Sequence, residues 1–167
     1  MKGMEMRMRI YVRRIRPSII FSLGVMVFLS GCATVQLGDK AREADLKKFT
    51  PIPGKVSLYV CREQAYLAAA GVRTVVLVDN EAIGTVKPNM FVYTTLEPGR
   101  HGILLRNDGL ASGTGGFETF EGKANDLVFY WVGVTGNGWG VLTVDHFDSA
   151  QDAMKCVRGA AYSVKAN

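Results

Sequence analysis

Three thiols, two imidazoles and a knot of large aromatic rings are the side chains of this 167-residue chain best equipped for chemistry. Catalysis makes the most specific demands. His146 follows Asp145, as two members of a triad would, but neighbouring residues of a strand point to opposite faces and do not share one site. Ser112 sits in Leu-Ala-Ser-Gly-Thr-Gly, which lacks the first glycine of a G-x-S-x-G elbow and its strand-to-helix setting. His101 comes just after Pro98 and Gly99, an ordinary place for a polar residue entering a strand. There is no C-x-x-C, no H-x-x-x-H and no acidic loop of the calcium type, so no metal set is assigned and no cofactor is expected. The glycine clusters at 113–116 and 136–140 are not followed by Lys-Ser/Thr, as a phosphate loop would be. No catalytic residue emerges, and the expectation is a protein that is not an enzyme.

Binding and covalent attachment remain. Tyr130, Trp131 and Trp139 gather around the last pair of expected strands, with Phe129 beside them. Alternation sends Phe129 and Trp131 to the face opposite Tyr130. On a sheet surface such rings stack on sugars or anchor a protein partner, and between sheets they are core. Core and cross-strand packing is the favoured reading, and Tyr130, Trp131 and Trp139 are the candidate binding surface if the rings reach the sheet surface.

Cys32 has the most specific setting. Lys2, Arg7, Arg9, Arg13, Arg14 and Arg16 stand against a single Glu5, and the run IIFSLGVMVFL at residues 19–29 carries no charge. These 11 residues fit the ~7–15 of a signal-peptide core and fall short of the ~20 that span a bilayer. The run closes on Leu29-Ser30-Gly31-Cys32, which resembles the lipobox of bacterial lipoproteins. The resemblance implies a diacylglyceryl group on the Cys32 sulfur, cleavage after Gly31 and acylation of the new amino group. Two or three chains hold a protein at a membrane far longer than one. Ala33, where an aspartate tends to retain lipoproteins in the inner membrane, favours the outer membrane facing the periplasm.

Removing the leader changes the charge balance. The chain has 20 Lys/Arg and 15 Asp/Glu, a net charge of +5, but residues 1–31 hold six of the basic residues and one acidic one. Residues 32–167 are balanced at fourteen of each, so no basic excess argues for nucleic acid. With Cys32 set aside, Cys61 and Cys156 form an even pair in an oxidising compartment. Bonded, they would close a loop of about 95 residues, worth up to ~4 kcal/mol in the chain-entropy account. Two separate buried thiols are the alternative, since bonding needs Cα atoms within ~7 Å.

The elements that must position these residues read mainly as strands. Residues 32–54 look like a tether, with a short charged helix around 39–48 stopped by Pro51 and Pro53. Alternation marks strands at 55–62, 72–78, 82–86, 89–96, 101–106, 117–121, 127–134 and 139–145. Asp79-Asn80-Glu81 predicts a hairpin turn, Glu97-Pro98-Gly99 a turn, and Asn137-Gly138 a second hairpin. Residues 149–157 have helical spacing, with Ala153, Met154 and Val157 on one face and Asp148 or Ser149 as cap. The expectation is an antiparallel β-sandwich of about eight short strands with a C-terminal helix, spanning 55–160 and followed by a tail at 161–167.

Tyr59-Val-Cys-Arg62, then Val76-Leu-Val-Asp-Asn-Glu-Ala-Ile-Gly84, then Phe91 to His101 (FVYTTLEPGRH) and the run KANDLVFYWV at 123–132 carry a likeness. Their order resembles the domain-of-unknown-function family 2846 of small bacterial lipoproteins, and is similar to PEGA-type and transthyretin-like β-sandwich modules. Asn80 stands where glycine is common, and a tight turn tolerates it. The resemblance covers residues 55–147 and implies a fold without catalytic residues. It suggests a lipid-anchored envelope domain, held to the membrane through Cys32, that contacts another envelope protein. An inhibitor or glycan-binding protein of the periplasm is the alternative.

Overall fold

A computed structural model describes residues 35–64, 71–108, 114–135 and 141–166. The signal-like segment, Cys32, Trp139 and the turn around Asn137-Gly138 lie outside these residues. Nine strands and two helices are described: α1 (Lys40–Leu46), β1 (Val56–Arg62), β2 (Thr74–Val78), β3 (Glu81–Val86), β4 (Met90–Leu96), β5 (Gly99–Asn107), β6 (Thr114–Gly122), β7 (Leu127–Thr135), β8 (Val141–His146), α2 (Ala150–Gly159) and β9 (Ala161–Tyr162). They form two stacked sheets, one in the order β8-β7-β1-β4-β9 and the other β3-β2-β5-β6. The mainly β sandwich with a C-terminal helix is thus present, although not every pair is antiparallel. β1 runs parallel to β7, and β4 parallel to β9.

Each sheet gives one face to a shared apolar layer built from Val56, Leu58 and Val60 of β1, Val76 of β2, Ile103 and Leu105 of β5, and Tyr130 and Val132 of β7. The other face of the five-stranded sheet is covered as well. Leu46 of α1, Phe49, and Ala153 and Val157 of α2 pack there on Tyr59, Phe91 and Phe129. Burial on both faces explains why all seven residues of β1 are buried, although only Val56, Leu58 and Val60 alternate as a core face.

Turn chemistry follows the sequence. Asp79 and Asn80 both take positive φ, 50° and 68°, in a two-residue loop between β2 and β3. Asn and Asp tolerate that left-handed conformation better than most residues, which suits a tight hairpin. The Pro98-Gly99 turn instead carries the chain from one sheet to the other, with Gly99 at φ 144°. Ser149 caps α2, its side chain accepting from the Asp152 N–H.

Two boundaries are corrected. Residues 36–54 are not a loose tether. Asp39 caps α1, Leu46 and Phe49 are buried, and the Tyr59 hydroxyl donates to the Leu46 carbonyl at 3.0 Å. Phe49 packs against the rings of Tyr59 and Phe129 at 5.6 and 5.9 Å. Residues 161–164 are likewise no tail. β9 pairs with β4, Leu37 bridges Ser163, and the fully buried Ser163 hydroxyl donates to the Thr85 carbonyl at 2.8 Å. Burying the aromatic outer face of the five-stranded sheet requires these flanks, because its rings would otherwise lie in water.

Candidate functional site

Trp131 lies in the middle of β7, beside the ends of β1 and β8. It pairs across the strands with Cys61 on one side and Asp145 on the other. It shares its face with Phe129, but Phe129 lies beneath Phe49, whereas Trp131 is left partly exposed. The indole lies over its own strand at Gly133. A Cβ added there would sit 2.3 Å from the Trp131 ring and 2.3 Å from the Thr143 hydroxyl, so this close approach requires glycine.

The indole borders a groove of about 460 Å³, walled by Glu63 after β1, Asp145 and His146 at the end of β8, Phe147 and Asp148 in the link, and Asp152 and Lys155 of α2. The lining thus combines four acidic residues and one lysine with the aromatic residues Trp131 and Phe147. Asp145 accepts from the His146 N–H at 2.7 Å, and Asp152 accepts from the Ser149 hydroxyl at 2.7 Å. Such a surface stacks flat or apolar groups and attracts positive charge.

Tyr130 is corrected as a binding residue. It is fully buried between the sheets, and its hydroxyl hydrogen-bonds His146 Nε2 at 2.8 Å. Burial, with the Glu118 and Asp145 charges, pushes the Tyr130 hydroxyl up to about 12, so it stays protonated while bonded to His146. Of the two aromatic candidates among the described residues, Trp131 is the one left partly exposed. Trp139 and Cys32 lie outside the described residues.

Cys61 and Cys156 are joined by a disulfide, with Cα atoms 6.4 Å apart, that staples α2 to β1. His101 does not meet a hydroxyl. Its Nδ1 lies 2.7 Å from Asp79 Oδ2 and its Nε2 2.8 Å from the Glu97 carbonyl, which uses both ring nitrogens. The aspartate of the β2–β3 turn and the histidine after the Pro98-Gly99 turn thus clasp each other. Among the described residues, no group of three or more His, Cys, Asp or Glu side chains is arranged to hold a metal ion. No helix among them is long and apolar enough to cross a membrane.

A second concavity, of about 340 Å³, lies beside α1 and is lined by Arg42, Lys48, Ile52, Tyr59 and Tyr93 among others. Several of its polar groups already have partners. Tyr59 donates to Leu46, Tyr93 hydrogen-bonds Ser57 at 3.3 Å, and Arg42 lies over the Tyr93 ring. The groove at Trp131 is therefore the better candidate for a ligand. Sequence reasoning did not assign Glu63, Phe147, Asp152 or Lys155 to it. The one local signal was the dense Asp-His-Phe-Asp run at 145–148, which has no spacing that marks a known chemistry.

No protein-family model matches the chain, and no solved structure does. The chain is similar to an uncharacterized protein of Haemophilus influenzae (strain ATCC 51907 / DSM 11121 / KW20 / Rd), 34% identical over 94 residues. The match covers 56% of this chain and 53% of that protein, so the chain spans about half the length of the curated relative it matches.

Proposed function

We propose that the protein is a bacterial envelope lipoprotein, anchored through lipid on Cys32, whose β-sandwich acts by binding another envelope protein rather than by catalysis. Where the source has two membranes, the domain faces the periplasm from the outer membrane. The basic leader and the Leu29-Ser30-Gly31-Cys32 box support the anchor. The Cys61–Cys156 bond fits an oxidising compartment. The order of turns and strands in the sequence supports a domain like family 2846.

The observation that carries the binding role is Trp131, laid over Gly133 and ringed by the carboxylates of the groove. Aromatic anchors with a polar rim are the usual energetic centres of protein contacts. Crosslinking in intact envelopes, followed by recovery of the full chain, tests the role. The expected result is a discrete partner that Trp131→Ala loses. Equal recovery with Trp131→Ala, or no partner with either chain, overturns it. The same flat ring among hydrogen-bonding carboxylates favours a second reading, a cell-wall glycan stacked on the indole. Soluble wall fragments that saturably change the tryptophan emission of the parent chain, but not of Trp131→Ala, would select that reading.

A further inference from the structure

We propose that the folded domain sits directly on the headgroup layer of its membrane, through the corner where residues 36–38 meet residues 162–165. This rests on the reading of Cys32 as the lipidated residue and adds which surface faces the lipid. The N-terminal segment is held to that corner. The Gly38 N–H donates to the Tyr162 carbonyl at 2.9 Å, and the Val164 N–H to the Gln36 carbonyl at 3.0 Å. Leu37 bridges Ser163 between them. Gly38 approaches so closely that a Cβ there would lie 2.2 Å from the Tyr162 ring.

The next turn of chain is locked to the same strand. The Glu43 carboxylate accepts from the Tyr162 N–H at 3.0 Å and from Lys47 Nζ at 2.8 Å. Burial raises the Glu43 pKa, but the hydrogen bonds from Lys47, Tyr162 and Lys40 outweigh it and hold the carboxyl at about 2. This clasp stays ionised under ordinary conditions.

Only residues 33–35 therefore separate Cys32 from the folded body, a span of at most about 14 Å when extended. The headgroup layer itself takes roughly 5–7 Å of that distance. Three residues give far less reach than a tether extending to residue 54 would. The surface brought down carries Leu37, which is 50% exposed. Lys40 follows three residues later and Lys165 lies two residues beyond Ser163, both well exposed. A leucine entering the acyl boundary with lysines among anionic headgroups is the usual chemistry of interfacial contact. Glu43 and Glu81 lie beside these lysines and offset part of their charge, so anchor length and Leu37 determine the contact more than net charge does.

The full lipidated chain, purified from membranes and placed in vesicles of phosphatidylethanolamine and phosphatidylglycerol with brominated acyl chains, tests the contact. Leu37→Trp adds an indole at the corner, and its extra emission over the parent chain should be lost to bromine quenching. Inserting about 12 Gly/Ser residues between Thr34 and Val35 adds roughly 20 Å of reach and should restore it. Extra emission that stays unquenched at native spacing, or quenching that the insert leaves unchanged, overturns the proposal. Flotation of Cys32→Ala expressed without residues 1–31, whose uncleaved apolar run would itself enter vesicles, separates the two failures. If that variant floats with vesicles as the parent does, the lipid anchor falls and the docking with it. If only the parent floats and Leu37→Trp is unquenched, the anchor stands and the docking alone is lost.

Discussion

Asp79 and His101 lie 22 residues apart, yet they form a closed set of hydrogen bonds. Asp79 Oδ1 accepts from the Gly102 N–H at 2.9 Å while Oδ2 faces the imidazole. Burial lowers the His101 pKa, but the hydrogen bonds to Asp79 and to the Glu97 carbonyl outweigh it and hold His101 above its usual 6.5. For Asp79, burial raises the pKa, and the hydrogen bonds from Gly102 and His101 bring it below its usual 3.8. The signs determine the pH window. His101, raised in the fold, contributes fully below about 6.5 and loses its contribution as pH rises through its folded value. Asp79, lowered in the fold, contributes above about 3.9 and loses its contribution as pH falls. The stability lost on His101→Gln should therefore be largest between about pH 4 and 6.5 and shrink above it, read from urea midpoints across that range. A constant difference from pH 5 to 9 would show that the clasp acts by shape alone. In sequence, His101 was an unremarkable polar residue at a strand start. Its partner is invisible there, because only the pairing of β2 with β5 brings the Asp79 turn alongside it.

Among the elements, α2 and the β2–β3 hairpin were the most legible. Ala153 and Val157 share a buried face, Met154 is only partly buried, and Cys156 completes the buried set. Serine at the cap and a two-residue Asp-Asn turn are local signals, since each needs only its neighbours to act. The parallel pairing of β1 with β7 was not legible. It joins Tyr59 to Phe129 across the chain, and no local pattern encodes which strand becomes a neighbour. The same pairing brings β1 under α2, where the disulfide forms. Replacing both Cys61 and Cys156 by serine should lower stability by about 2–4 kcal/mol, measured by urea unfolding. Dithiothreitol should cost the parent chain a similar amount and the double variant nothing. Ala153 and Val157 still pack on the sheet in the variant, so the native sheet signal in circular dichroism should survive at low urea.

For the whole molecule, the decisive feature is that the flanks complete the core. A chain starting at Lys55 keeps every long strand but loses Leu46 and Phe49 from the aromatic layer. Truncating a buried Leu or Phe to alanine costs about 2–5 kcal/mol, and a domain of this size holds only about 5–15 kcal/mol in all. Deletion through residue 54 should therefore abolish or severely lower the cooperative thermal transition, whereas removing a free tether would leave it unchanged. Circular dichroism melting of the two chains decides between them. The sequence alone determined where most strands run, where the chain turns, which residue caps α2 and that Tyr130 and Trp131 face opposite ways. Those features depend on side-chain alternation, φ preferences and hydrogen bonds within a few residues. Tertiary structure alone decided that Tyr130 faces the interior and Trp131 the groove, that Cys61 and Cys156 lie within bonding distance, and that residues 36–54 and 161–164 belong to the body. Each depends on surfaces far apart in the chain meeting to exclude water, and sequence periodicity carries no record of the partner.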